Sequence, residues 1–469
     1  GLGDVYKRQQ QAEGWQLNPY EENSKTHELE ETGKVASTGF YANTVNQKFT
    51  FDATDKLSFY ARGGYYDNKT RRPYEAYDYN ILHETFNYGI GAQYMINKGN
   101  YITADCYADH FSSSYCFFKD NKTYNGKAGE EQVRKRTRNH NLSIKGIFKL
   151  GNRHKLSVGT EYIVDVLKSQ TDNIAKEDAY TLALFAQDEI KLLRNLQALI
   201  GVRYIYHENF KNHATPNVAL MYKPGKFNFR ASYAAGFRTP TLSELYATDI
   251  AKKNDRLTIG NLDLKPEKNN YFSLSAEYVH ERFSVSVNAF YNNIRDMIDY
   301  NTIATGDKAM EQYGHKEVRQ RDNIAEAKVH GINVSANAYL GAGFNLSGGY
   351  THLNTQDVEL EQPIDKSIKN AYNINAQWAH SWKIYRLNIN LNGRFNSKRF
   401  SKSYGYAPEY QLWDLNTRHS FNLKSVIIEP GCGMENLFDY MDDRPYNSNY
   451  ATLTPGRSFY ISLSLKFKS

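Results

Sequence analysis

Ile384–Phe395 reads IYRLNINLNGRF, and its alternation decides the fold. Tyr385, Leu387, Ile389, Leu391 and Phe395 take every second place, with Arg386, Asn388, Asn390, Asn392 and Arg394 between them. A period of two sets one face of a strand in an apolar medium and the other in a polar one. The polar face holds too much Asn and Arg for a dry interior, so it belongs against a water-filled lumen. That leaves lipid for the apolar face.

The same pattern recurs along the chain. In Arg457–Phe467, Phe459, Ile461, Leu463, Leu465 and Phe467 alternate with Ser458, Ser462, Ser464 and Lys466. Phe227, Phe229, Ala231, Tyr233 and Phe237 alternate with Asn228, Arg230 and Ser232. Phe283, Val285, Val287, Ala289 and Tyr291 do so with Ser284, Ser286, Asn288 and Asn292. A soluble sandwich would turn its apolar faces inward and would seldom string together so many long strands.

The connections sort by length. Tight turns fall at Asp52–Lys56, Asn97–Asn100, Gly151–His154, Leu193–Asn195, Lys223–Lys226, His280–Arg282, Leu340–Gly343, Ser381–Lys383 and Asn422–Ser425. Between them lie long polar stretches: Lys69–Asp78, Lys119–Gln132, Arg238–Lys268, Asn301–Val318, Asn354–Lys369, Ser397–Pro408 and Asp439–Gly456. Short turns on one rim and long loops on the other describe a transmembrane antiparallel up-and-down β-barrel. Since each strand crosses once, all the tight turns are expected on one rim.

Composition agrees. The 469 residues are 40% hydrophobic with a mean hydropathy of −0.69, and no apolar run is long enough for a membrane helix. A barrel escapes hydropathy plots because alternate residues are polar. The 38 Tyr and 24 Phe supply aromatics for the headgroup zones. Three cysteines make no disulfide framework. Cys106 and Cys116 on one strand would lie ~33 Å apart, so all three are read as free thiols. The net charge of +7 suits loop lysines kept for solubility, or anionic ligands and lipopolysaccharide phosphates. No compact basic patch points to nucleic acid.

Asp4–Gln9 (DVYKRQ) reads as the translation of a transposon-adapter sequence, so residues 1–9 are set aside as an assembly scar. No signal peptide precedes the strands. Residues 10–34 form a poorly defined segment and 35–469 a partial barrel. About nineteen strands can be counted, whereas single-chain bacterial barrels close with an even number. The chain is therefore read as truncated at its start.

Tyr233–Tyr246 (YAAGFRTPTLSELY), Gly260–Glu267 (GNLDLKPE) and Ser273–Tyr278 (SLSAEY) resemble, in that order, the signatures of the TonB-dependent outer-membrane receptors. Glu435–Asp439 (ENLFD), Gly456–Tyr460 (GRSFY) and the closing strand with Phe467 resemble the family's C-terminal signature; Phe185–Glu189 (FAQDE) and Gly201–Tyr204 (GVRY) fit too. The resemblance runs from about Thr38 onward. It implies a 22-strand barrel, an N-terminal plug, and active uptake of a scarce nutrient driven by TonB. Nothing in these residues resembles the plug or the TonB box, and about three strands are missing. Lys468 and Ser469 follow the final aromatic.

The motif residues Gly236, Phe237, Arg238, Pro240, Gly260, Asn261, Leu264, Pro266, Glu267, Asn436, Leu437, Phe438, Gly456, Arg457 and Phe467 are read as structural. Gly supplies unusual φ and Pro fixes it. Arg238 and Glu267 are placed to pair across the base of a loop, and Asn436 and Asp439 to satisfy backbone groups where a strand ends. Tyr74, Tyr77, Tyr79, Tyr246, Tyr404, Tyr406 and Tyr446 serve as membrane-interface anchors or as ligand stackers. Arg71 and Arg72, beside three of these tyrosines, are the local candidates for holding an anion, against the plainer reading of a solvated pair.

No enzyme motif is found: HExxH, CxxC and GxSxG are all absent. The carboxylates of the long loops match no calcium loop, and no cofactor or metal is implied. Arg238–Asn270 contains no His, where haem receptors of the family place a ligand. The loops are also shorter than those of its large glycan importers. Ferric siderophore and cobalamin remain the leading ligands. A passive porin and a barrel-type outer-membrane enzyme are the alternative readings.

Overall fold

A computed structural model of the chain describes residues 5–12, 20–22, 26, 28–31, 38–72, 74, 77–251, 255–401, 405–441 and 456–467. One sheet of 22 strands dominates. Two of them, Thr248–Ala251 and Arg256–Ile259, are four-residue pieces within a long connection, which leaves twenty longer strands. Nineteen of the twenty begin at or after Gly39, in agreement with the sequence count. The twentieth is a correction to it. Val5–Ala12, lying mostly within the residues set aside as a scar, pairs antiparallel with Phe40–Gln47. Backbone groups make that ladder, and any sequence supplies them. Within 10–34, Tyr20–Glu22 pairs with Leu29–Glu31.

From Gly39 onward each long strand lies antiparallel to the next. The order continues unbroken to Ser458–Phe467. This is the expected up-and-down meander, and its parity puts all nine tight turns on one rim, Lys223–Lys226 and Leu340–Gly343 included. The opposite rim carries the long loops, with two exceptions to strict alternation. Ser169 to Ile174 and His207 to Lys211 are joined by short hairpins there. Leu340–Gly343 turns through left-handed backbone at Gly341, Ala342 and Gly343 (φ 92°, 50° and 87°). A Cβ on Gly343 would stand 2.0 Å from the Ala379 carbonyl oxygen, so only glycine fits.

The polar alternants meet one another across the strands. Asn228 Nδ2 donates to Glu277 at 2.8 Å, Asn139 Nδ2 to Asp165 at 2.7 Å, and Asn375 Nδ2 to Asn390 at 2.6 Å. Hydroxyl pairs form between Ser232 and Ser273 (2.6 Å) and between Ser286 and Ser335 (2.7 Å). The apolar alternants have no such cover: Ile461 is 89% exposed, Leu274 66% and Ile200 52%. In water such a surface would drive aggregation, whereas in a bilayer it is the lipid face.

Two aromatic girdles edge that face. On the short-turn side, successive ring contacts link Phe344 to Trp378, Trp378 to Trp382, Trp382 to Tyr385 and Tyr385 to Phe421. On the loop side Tyr162, Tyr180 and Tyr206 adjoin, as do Tyr233 with Phe272 and Tyr350 with Tyr372. Phe283 and Tyr291 share one strand face eight residues apart, ~26 Å along the strand, close to the ~25 Å apolar band of such barrels. Glu317–Gly341 has 25 residues, far more than the ~9–11 a crossing needs. Its loop-side half must therefore rise above the membrane as a wall.

What core exists lies in that wall. Leu245, Leu264 and Ile298 form one buried cluster, with Phe210 and Tyr246 against it. Ala304, Ala309 and Val318 form another under the helix Gly306–Tyr313. No helix among the described residues is long and apolar enough to cross a membrane.

Candidate functional site at the loop rim

Asp78 ties two loops together. Its carbonyl accepts the amides of Phe118 and Lys119 at 2.9 and 3.1 Å, and its carboxylate accepts Asn121 Nδ2 at 2.7 Å. This holds the residues just before Tyr79 against the 118–130 loop and gathers aromatic rings on the polar face of the wall. Tyr79 stacks on Tyr115 with ring centroids 4.0 Å apart, and Tyr124 meets both edge-on at 5.8 and 5.2 Å. Tyr115 shares its strand face with Tyr107 and Asp105, on the lumen side.

Two guanidiniums cap these rings. Arg72 lies 4.5 Å from the Tyr77 ring centre and 5.0 Å from that of Tyr79. Arg134 lies 4.9 Å from Tyr124 and 5.4 Å from Tyr115. Arg134 Nη1 donates to Gln170 at 2.8 Å, while its buried Nε has no acceptor among the described residues. Beside it opens a cavity of about 680 Å³ whose lining includes Tyr124, Arg134, Lys135, Arg136, Lys168 and Gln170. Burial pushes the Tyr124 phenol up, as does neighbouring Tyr79, so it remains a neutral hydrogen-bond donor. Cation, ring face and phenol donor together suit an anionic aromatic ligand.

Of the candidates read from sequence, Arg72, Tyr77 and Tyr79 converge here. Arg71 ends its strand opposite Gly39. Tyr74 stacks on Phe118 under Lys119. Tyr246 packs on the Leu245 cluster, and Tyr406 meets Phe400 in a separate hairpin. Tyr404 and Tyr446 lie outside the described residues, as does the side chain of Phe467. Tyr115, Tyr124 and Arg134 escaped the sequence reading. Their convergence depends on strand register and on a bulge opposite Ser113 and Ser114, which no local pattern announces.

The motif residues build a buckle on the same rim. Arg238 Nε and Nη2 donate to Glu267 at 2.9 and 2.5 Å, forming the pair read across the loop base, and Nη1 and Nη2 donate to Glu244 at 2.9 and 3.2 Å. Glu244 also closes a capping box with Thr241, a T-x-x-E signal that the sequence does carry. Burial raises the pKa of Glu244 and of Glu267, but the Arg238 bonds outweigh it and hold both below the usual carboxylate range.

The other motif residues pack around this buckle. A Cβ on Gly260 would stand 2.4 Å from the Leu245 carbonyl oxygen. Asn261 Nδ2 donates to the Arg321 carbonyl at 3.0 Å, Leu264 is buried, and Pro240 and Pro266 are buried beside them. Phe237 stacks on His213, and Gly236 approaches Asn269. At the last loop the Asn436 side chain bridges to Tyr440 at 2.7 and 2.8 Å, and Asp439 accepts the Arg457 amide at 2.6 Å. The Leu437 amide reaches the Trp413 carbonyl, Phe438 meets the Trp413 ring, and Gly456 packs on Asp439. Among the described residues no group of three or more His, Cys, Asp or Glu could hold a metal ion.

Fold and rim together define an outer-membrane β-barrel of the receptor type. Residues 15–436 match the family described as TonB dependent receptor-like, beta-barrel, and the chain belongs to that family. Its members are receptors and transporters, not enzymes, which agrees with the absence of catalytic motifs. A ferric enterobactin receptor mutant from Pseudomonas aeruginosa is similar in fold, with a TM-score of 0.79 at 17% identity, over 99% of this chain and 75% of that one. The siderophore receptor PirA from Acinetobacter baumannii scores 0.72 at 15% identity, over 92% and 72%. The FrpB iron transporter from Neisseria meningitidis scores 0.72 at 14%, over 99% and 76%.

Proposed function

We propose that this chain is the barrel of a receptor in the outer membrane of a Gram-negative bacterium. It binds a ferric siderophore at the loop rim, and its uptake is energised through TonB. The observation that carries this reading is the pair Arg72 and Arg134 set over Tyr77, Tyr79, Tyr115 and Tyr124, beside a cavity of about 680 Å³. A ferric catecholate is anionic and aromatic, so ring faces stack on its arms while the guanidiniums take its charge. The enterobactin and siderophore receptors among the similar folds support an iron ligand over cobalamin. TonB engages through the N-terminal part that the family carries, and membrane lipid and lipopolysaccharide surround the wall.

Titration of the barrel in detergent with a ferric tris-catecholate, read by tyrosine fluorescence quenching, tests the site. Arg72→Ala with Arg134→Ala should weaken binding at least about tenfold, equivalent to ~1.4 kcal/mol. Unchanged affinity in that variant, or tighter binding of cobalamin than of the iron complex, would overturn the assignment.

A further inference from the structure

The outward face of the strands Glu131–Leu150 and His154–Ser169 breaks the rule that it should be apolar. From the short-turn side it presents Ile144, Leu142 and Tyr162, each more than 40% exposed. Further toward the loops, the same face of the first strand continues as His140, Arg138 and Arg136, all exposed. No register shift interrupts this pairing, so alternation keeps them on the lipid side. Arg136 stands directly opposite Lys168, which is also exposed, and Arg138 opposite Val166.

Like charges directly opposite across a ladder repel. Among the described residues no ion pair relieves Arg136, Arg138 or Lys168. Neighbouring Lys135 has Asp172 at 3.4 Å, and Asp178 is taken by Lys176 at 3.1 Å. Glu84 lies two strands from Arg136 and accepts Tyr65 Oη at 2.8 Å. Arg136 and Arg138 border a cleft of about 250 Å³ shared with Tyr65, Glu84, Phe86 and His110, and Arg136 and Lys168 also line the neighbouring cavity of about 680 Å³ beside Arg134. His110 Nε2 is buried without a hydrogen-bond partner among the described residues.

We propose that Arg136, Arg138 and Lys168 bind the phosphates of an outer-leaflet glycolipid. The three cations lie just beyond the apolar band on the long-loop side, where headgroups sit. A bound anion between them relieves the repulsion within this row of like charges. Arg presents a planar fork matched to phosphate oxygens. The aromatic floor of the cleft offers a surface for the sugar ring or the first acyl carbons. This assignment rests on the membrane placement given above.

The experiment separates the two. Folding of the chain into phosphatidylcholine vesicles, read as a heat-modifiable band, tests the membrane placement by itself. The folded chain in detergent is then titrated with bisphosphorylated lipid A and with the same glycolipid stripped of phosphate, and complexes are counted by native mass spectrometry. The phosphorylated lipid should bind, and Arg136→Gln/Arg138→Gln/Lys168→Gln should weaken it about tenfold. Lys149→Gln/Lys191→Gln on the short-turn side should leave it unchanged. If the triple variant fails to fold, Arg138→Gln alone, at an exposed strand position, should weaken binding about threefold. Equal retention of the dephosphorylated lipid, no response to either site variant, an equal response to the control variant, or full displacement by inorganic phosphate would each overturn the proposal.

Discussion

Arg238 is the residue on which the loop wall turns. It joins the end of one strand to Glu267 at the start of the next and to Glu244 in the short helix Leu242–Tyr246. Both carboxylates are largely shielded, while Arg238 is 42% exposed, so solvent screening discounts the pair. Arg238→Ala should cost about 1–2 kcal/mol of loop stability, mostly by leaving two shielded carboxylates without their donor. The pH dependence has a definite sign. Glu244 and Glu267 have folded-state values below their unfolded ones of about 4.3. Their contribution is complete above that value and is lost as pH falls through the depressed folded values. The Ile298 amide donates to Glu267 Oε1 at 2.9 Å, and its hydrogen exchange, corrected for intrinsic rate, should be flat from pH 5 to pH 8 and accelerate only in stronger acid. Acceleration already at neutral pH would contradict this account.

At the scale of the element, the strand Tyr385–Asn396 shows how two faces divide. Asn390 and Asn392 accept the Asn375 side chain, while Leu391 lies opposite Ala376 and Leu415. Leu391 sits six residues from Tyr385 and four from Phe395, between the two girdles and so near the midplane. Leu391→Arg should cost ~2–4 kcal/mol in a bilayer folding assay, and Asn390→Arg close to nothing. Equal losses at the two positions would remove the lipid-facing assignment of Leu387, Ile389 and Leu391.

At the scale of the whole molecule, the described residues of the sheet form no central core; its apolar residues face outward and its small buried clusters lie in the loop wall. A lumen lined by Asn, Ser and charged groups conducts unless something fills it, which is why the family implies a plug and work to clear it. Growth on siderophore-bound iron that depends on this barrel should stop in a strain lacking TonB. Undiminished uptake in that strain would favour the passive porin.

Strand faces, turn positions and the common rim of the tight turns were legible from residue order alone, because a period of two and a short turn are local properties of a chain. So was Arg238 with Glu267, since both lie in motifs of fixed spacing. The Arg72–Tyr79–Tyr115–Tyr124–Arg134 cluster was not. It joins two loops and three strands, and a bulge of one residue opposite Ser113 and Ser114 decides which side chains meet. Nor could the sequence place Arg136 against Lys168, thirty-two positions apart, because cross-strand partners are fixed by register. Local alternation determined what each strand faces; only the tertiary ladder decided which charges and rings share a site.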